Sequence, residues 1–231
     1  METSFDHNKL LKNIARDRLK SHSIIQKGAS RTFLYDSGWY VIMIEFQPSA
    51  WDKGSYLNIG VNLNFYPSNH LAFSYGYREK GFSGAKDEKQ FIEIVGNYCD
   101  HVIKKTQSLK EEFKDISTAI DNIKRRYPDD SWHHFDLGIL YGLTGNTKKA
   151  KYFLNKLARQ KCEYDYEFER QKVSAHLLNL LSDKEKFLSH TKELIARSRQ
   201  LKKLPTLDID LLPATHTSTK TSLLKSLFGK K

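Results

Sequence analysis

Apolar and polar residues alternate strictly between Tyr56 and Pro67. The apolar residues at every second position are Leu57, Ile59, Val61, Leu63 and Phe65. The positions between them hold Asn58, Gly60, Asn62, Asn64 and Tyr66. Because successive side chains of a strand point to opposite faces, the pattern predicts a β-strand with one apolar and one polar face. Asparagine and glycine are poor strand formers, so the polar face is either solvated or has a polar role.

Shorter strand patterns surround this segment and are joined to it by short turns. We predict strands over residues 24–27, 31–36, 39–47 and 70–78, and the short connections favour an antiparallel meander. A helix over residues 5–21 carries apolar residues at three- and four-residue spacing, so it should cover one sheet face. Residues 79–86 contain two glycines and are predicted to form a linker. Residues 1–84 are therefore predicted to form an α+β domain with a four- to five-stranded antiparallel sheet.

Strand patterning stops after this point, and only helical spacing follows. Residues 87–127 are predicted to form one long helix or a pair of helices. The helical pattern ends at Pro128, because proline cannot continue a helix. Further helices are predicted over residues 131–143, 147–160, 165–182 and 184–202. These helices should form αα-hairpins in an all-helical domain over residues 87–204.

Residues 205–231 are predicted to form a flexible tail with a short amphipathic end. The large apolar residues of that end are Leu223, Leu224, Leu227 and Phe228. A helix this short is marginal in water. It is therefore either a frayed end or a docking peptide for a partner groove or an anionic membrane surface.

Composition narrows the class of protein. The net charge of +11 is spread along the chain, as an ordinary solvated surface would carry it, and loose attraction to nucleic acid remains an alternative. Two distant cysteines favour a reducing cytoplasm. No apolar run approaches the ~20 residues of a membrane span, and the polar N-terminus lacks a signal-peptide core. We expect a cytoplasmic protein, and without a glycine-rich phosphate loop or a nucleophile motif we expect no cofactor.

Two groups of polar residues are candidates for catalysis or metal binding. Asp36 and the Glu45-Phe46-Gln47 segment resemble the Asp…Glu-x-Lys layout of restriction-type nucleases, with Gln47 in the place of lysine. Asp130, His133 and His134 are candidate metal ligands. However, adjacent histidines on a helix point ~100° apart, and acidic residues at a helix start are expected from the macrodipole. Metal binding is therefore the less favoured interpretation.

Two segments resemble known families. Residues 5–80 are similar to the bacterial family called domain of unknown function 4304. The similarity rests on Q-K-G-A-S-R-T-F-L-Y (26–35), F-Q-P-S (46–49), the Trp51–Gly54 loop and Y-L-N-I-G-V-N-L (56–63). Ala29 stands where that family often has phenylalanine. The resemblance implies a small bacterial α+β domain without an assigned activity, and it transfers no catalytic residue.

The second resemblance is to a single tetratricopeptide repeat. The residues that carry it are Leu137, Gly138, Tyr141, Gly145, Ala150 and Leu154. No second copy follows in register, so generic hairpin packing explains the same residues.

The function favoured by the sequence is a non-enzymatic protein-binding adaptor, or an immunity- or defence-type accessory protein of a bacterial complex. Its candidate binding residues are Trp51, Asn58, Asn62, Asn64 and the apolar residues of the tail. A metal-dependent nuclease centred on Asp36 and Glu45, and a basic nucleic-acid-binding protein, are the alternatives.

Overall fold

A computed structural model describes residues 5–49, 52–127, 133–209 and 211. Several residues singled out in the sequence lie outside this described part of the chain. They are Trp51, Asp130, Leu223, Leu224, Leu227 and Phe228.

The front half of the chain forms one helix and one sheet. Helix α1 spans His7–Leu19 and begins at Asp6, whose carboxylate accepts the Lys9 N–H at 2.9 Å. The strands are β1 (Ile25–Gln26), β2 (Thr32–Asp36), β3 (Tyr40–Pro48), β4 (Gly54–Leu63) and β5 (Tyr75–Gly84). Each strand pairs antiparallel with the next, in the order β1-β2-β3-β4-β5. The predicted antiparallel meander is confirmed.

The back half of the described chain is helical. The helices are α2 (Glu88–Glu112), α3 (Ile116–Arg126), α4 (His134–Leu143), α5 (Thr147–Ala158), α6 (Asp165–Leu180) and α7 (Lys184–Leu201). Most begin at an Asp or Asn whose side chain accepts a backbone N–H of the first turn, as at Asp87 and Asp183, which is the usual way to satisfy these donors. The predicted α+β class, with a sheet followed by helical hairpins, is confirmed.

The predicted bounds of the last strand, residues 70–78, are wrong, because β5 spans Tyr75–Gly84. Residues 70–74 are not part of β5, which instead runs through the predicted linker to Gly84. Leu71 and Phe73 lie in the preceding loop and pack against Val41 and Met43. Alternation misplaced the strand because a loop that covers a sheet face also carries apolar residues at intervals.

One hydrophobic cluster joins the sheet to the helices. It includes Ile42, Ile44, Ile59 and Val61 from paired positions of β3 and β4, which α1 and α2 cover on one face. The same cluster continues through Phe91, Val95, Cys99, Phe135, Ile139, Leu154, Phe187 and Ile195 of the helical region. The boundary near residue 86 is therefore a change from strand to helix, and a shared core crosses it.

The second face of the sheet is only partly covered. Its small apolar cluster consists of Leu34, Val41 and Met43, packed against Leu71, Phe73 and Leu204. Leu204 belongs to the segment that follows α7, so the end of the helical region returns to the sheet. Leu211, at the end of this segment, is 3% exposed. The return of the chain divides the polar face of β4 into a covered part and an open part.

Candidate functional site

Asn58 and Asn62 of β4, and Asn64 directly after it, are buried. Their exposed fractions are 9% for Asn58, 6% for Asn62 and 0% for Asn64. Asn62 Nδ2 donates to the Ala72 carbonyl at 2.6 Å, and Asn64 Nδ2 donates to the Gly38 carbonyl at 2.9 Å. The expectation that Asn62 and Asn64 lie on an accessible binding surface is wrong, because the end of α7 covers them.

Lys202 is the residue that covers them. Its Nζ donates to Asn62 Oδ1 at 2.8 Å, to Asn64 Oδ1 at 3.0 Å and to Ser198 Oγ at 2.8 Å. Burial lowers the pKa of Lys202 to about 8, an effect that nearby Asp136 opposes and nearby Arg199 reinforces. The polar role of this half of β4 is therefore to receive a buried ammonium group.

Asp36 is held in an ion pair with the same helix. Its carboxylate accepts two hydrogen bonds from Arg199, at 2.7 and 2.8 Å, and a third from the Gly38 N–H at 2.9 Å. Asp36 pairs with Val41 across the sheet, so Glu45 lies four residues further along β3, about 13 Å away at the rise of a strand. The structure does not bring the two carboxylates of the nuclease hypothesis together, and the role it shows for Asp36 is structural.

The open part of the face carries a connected network of polar side chains. Asn58 Nδ2 donates to Glu45 Oε2 at 2.8 Å and to Gln47 Oε1 at 3.1 Å. Arg78 Nη2 also donates to Gln47 Oε1, at 2.9 Å, and its guanidinium lies 4.1 Å from the centre of the Tyr56 ring. We call Glu45, Gln47, Tyr56, Asn58 and Arg78 the open polar network. Cross-strand pairing aligns Glu45 with Asn58 and Gln47 with Tyr56.

A groove adjoins this network at Glu45. It consists of two clefts of about 400 and 550 Å³ that share Ser30, Thr32 and Glu45. Met43, Leu71 and Phe73 give one cleft an apolar wall, whereas Arg31 and His7 line the other. The groove therefore offers positively and negatively charged side chains beside apolar surface. This combination suits the binding of a ligand that has both polar and apolar groups.

His133 and His134, two of the candidate metal ligands, contact aromatic rings of different residues. His133 is 2% exposed, and its ring stacks on Tyr75 with centroids 4.3 Å apart. The His134 ring lies 5.7 Å from that of Phe153, so the two imidazoles face different neighbours. Across the residues that the structure describes, no three His, Cys, Asp or Glu side chains are placed to hold a metal ion.

Asp136, beside these histidines, is a buried carboxyl group in contact with Tyr75. Tyr75 Oη donates to its Oδ2 at 3.1 Å. Burial raises the pKa of Asp136, although nearby Arg170 opposes the shift. The sequence did not indicate this pair, since its two residues lie 61 positions apart.

An ionic cluster on β5 was also missed, because its acidic member falls in the predicted linker. Glu79 pairs with Lys105 at 2.8 Å and with His101 at 3.0 Å. The pKa of Glu79 lies below its usual value. Burial alone would raise this pKa, but the hydrogen bonds from Lys105 and His101 outweigh the effect of burial. The spacing of His101 and Lys105 on one face of α2 was the only available signal. The cluster joins β5 to α2.

Comparison with protein-family models, with curated proteins and with solved structures found no match. The resemblance to the domain of unknown function 4304 family therefore stays a prediction. None of the helices in the described ranges is both long and apolar enough to cross a membrane.

Proposed function

We propose that this protein is a non-enzymatic binding protein of the cytoplasm, acting as an adaptor or immunity-type partner in a bacterial complex. The partner contacts the open polar network and the adjoining groove. The single observation that carries the proposal is this network, a connected set of side chains on an incompletely covered sheet face.

The network has the chemistry of a protein-binding surface. Arginine and tyrosine are enriched among the residues that dominate interface energies, and here the Arg78 guanidinium lies over the Tyr56 ring. The hydrogen bonds to Gln47 and Asn58 hold Arg78 in place before a partner arrives. A preorganised side chain loses less conformational entropy on binding.

The shape of the groove favours an extended polypeptide as the ligand. Ligand pockets for small molecules bury most of the ligand, whereas this groove consists of two adjoining clefts that are open to solvent. Its apolar wall at Leu71 and Phe73 and its polar floor at Thr32 and Glu45 could receive alternate side chains of a partner segment.

The test is affinity capture of a partner by the full-length chain, with the partner identified by mass spectrometry. Arg78→Ala should reduce recovery of a stoichiometric protein partner by about tenfold or more, the usual effect of removing a central interface arginine. Arg197→Ala, at an exposed position of α7, is the matched control and should retain the partner. The nucleic-acid alternative is tested by treating the lysate with nuclease, which would then abolish recovery.

Two results would contradict the proposal. The first is the absence of any stoichiometric protein partner. The second is equal recovery with wild type and with the Arg78→Ala variant.

A further inference from the structure

Three large aromatic side chains are exposed within five residues at the start of α6. Tyr164 is 59% exposed, Tyr166 is 39% exposed and Phe168 is 48% exposed. The Tyr164 and Tyr166 rings are parallel within 9°, with centroids 5.7 Å apart. We call these three residues the aromatic patch. Exposed apolar residues scattered singly are normal, but a group of this kind marks an interaction surface.

The aromatic patch is interleaved with carboxylates. Residues 163–169 read E-Y-D-Y-E-F-E and contain no basic residue. Glu167 accepts the backbone N–H groups of Glu163 and Tyr164, and Glu169 pairs with Lys172 at 2.7 Å. Glu163 and Asp165 form no ion pair with any residue in the described part of the chain. The patch is therefore an apolar surface with a negative rim, in a chain whose net charge is +11.

The C-terminal segment of the same chain has the complementary chemistry. Residues 220–231 contain four lysines and no acidic residue. Their large apolar residues lie at relative positions i, i+1, i+4 and i+5, a spacing that places them on one face of a helix. A segment of this kind can place its apolar face on exposed aromatic rings while its lysines approach the carboxylates.

Both the segment that follows α7 and the start of α6 contact the region between Gly38 and Tyr66. A Cβ placed on Gly38 would lie 3.4 Å from Ile209, and the Gly38 carbonyl accepts a hydrogen bond from Asn64. Two residues after Asn64, the hydroxyl of Tyr66 donates to the Tyr166 carbonyl at 3.4 Å. The segment that follows α7 and the backbone at Tyr166 are therefore held against the same part of the sheet region.

Eight residues, 212–219, separate Leu211 from the basic C-terminal segment. Residues 212–219 span up to about 28 Å when extended. We propose that residues 220–231 dock on the aromatic patch of their own molecule, with the apolar face on Tyr164 and Phe168 and with lysines beside Glu163 and Asp165. This proposal is independent of the open polar network, because the two surfaces share no residue.

The experiment is carbodiimide cross-linking, which joins a lysine directly to a carboxylate in contact with it. An equal mixture of unlabelled and nitrogen-15-labelled full-length protein is treated at low concentration and analysed by mass spectrometry. We expect cross-links from lysines of residues 220–231 to carboxylates of residues 163–169, with both peptides of one isotopic form.

Variants establish that the aromatic patch is responsible. Tyr164→Ser with Phe168→Gln should reduce these cross-links by about fivefold or more, since it removes the apolar contact surface. Serine is a good N-cap and glutamine a good helix former, so α6 is preserved. Tyr152→Gln is the control, because Tyr152 is a 54% exposed aromatic residue on α5, and it should leave the cross-links unchanged.

A second double variant, Leu223→Asp with Leu227→Asp, leaves α6 untouched and should cause the same loss. The proposal is overturned if the tail does not cross-link to residues 163–169, or if both double variants cross-link like the wild type. Cross-links that pair labelled with unlabelled peptides at the statistical proportion would instead assign the tail to a second copy, and would also overturn it.

Discussion

Replacing Lys202 with methionine should change how the stability of this protein depends on pH. Lys202 is 3% exposed, and its ammonium group donates hydrogen bonds to Asn62, Asn64 and Ser198. Methionine has a similar length but no charge. Burial lowers the pKa of Lys202 in the folded protein from 10.5 to about 8. This difference in pKa means that folding destabilises the charged form of Lys202 relative to its neutral form by about 3 kcal/mol.

The direction of the pH dependence follows from the number of protons that the folded and unfolded chains bind. Below pH 8 the folded and unfolded chains both keep the proton, so the cost of burying the charge is fully present. Between pH 8 and 10.5 the unfolded chain keeps the proton and the folded chain loses it, so the free energy of unfolding rises with pH. The slope approaches about 1.4 kcal/mol per pH unit, and the rise amounts to about 2 kcal/mol by about pH 9.5.

The assay is urea unfolding of wild type and Lys202→Met from about pH 6.5 to 9.5, followed by the fluorescence of the tryptophans, of which Trp39 is buried. The quantity of interest is the wild-type free energy of unfolding minus that of the variant. The unpaired asparagine oxygens of the variant add an offset that does not depend on pH, so the slope is diagnostic. Lys192→Met, at an exposed position of α7, is the control. A difference curve for Lys202→Met that stays flat to about pH 9.5 would refute the reasoning.

Three further substitutions or modifications have defined outcomes. Asp36→Asn should lower the free energy of unfolding by about 3 kcal/mol in urea, because it leaves the buried Arg199 guanidinium without its carboxylate partner. Gly138→Ala should lower it by about 1–3 kcal/mol, because the new Cβ would lie 2.6 Å from Leu154. Burial raises the pKa of the Cys99 thiol to about 12, so a thiol reagent at about pH 8 should react promptly with Cys162 and with Cys99 only after unfolding.

Each of these predictions has a control within the same chain. Asp100→Asn removes an exposed partner of Arg18 and should change stability by about 0.5 kcal/mol or less. If Asp36→Asn had no larger effect, the role of its ion pair would be disproved. Gly81→Ala places a Cβ in open space and should be nearly neutral, so equal effects at both glycines would contradict the packing argument. Rapid reaction of both thiols in the native protein would contradict the burial of Cys99.

The apolar periodicity predicted most elements correctly because it reports local burial. The alternation over Leu57–Leu63 marked β4, and the three- and four-residue steps marked α1 and α4 to α7 within a few residues. Residues 87–127, predicted as one helix or a pair, form the pair α2 and α3. It failed for β5, where Leu71 and Phe73 continue the alternation but lie in a loop against Met43. A period of two does not distinguish a strand from a loop that covers a sheet.

The candidate site was predicted only in part. Glu45 and Gln47 were noted with Asp36 as a nuclease-like layout, and Asn58 was noted separately as a binding residue. The structure brings these three side chains together without Asp36. Arg78 and Tyr56 were not singled out, because their contact depends on the register between β4 and β5. A bulge in that register is not visible in the alternation of residue types.

Hydrophobic patterning alone was enough to predict the order and type of the elements, the α+β class and a polar face on β4. Which part of that face is accessible depends on long-range packing, because Lys202 lies 138 residues after Asn64 and reaches it only when the end of α7 packs on the sheet. A lysine at a helix end has the same sequence pattern whether it is solvated or buried. Its environment is set by how the two halves of the chain pack together, and local periodicity carries no information about that packing.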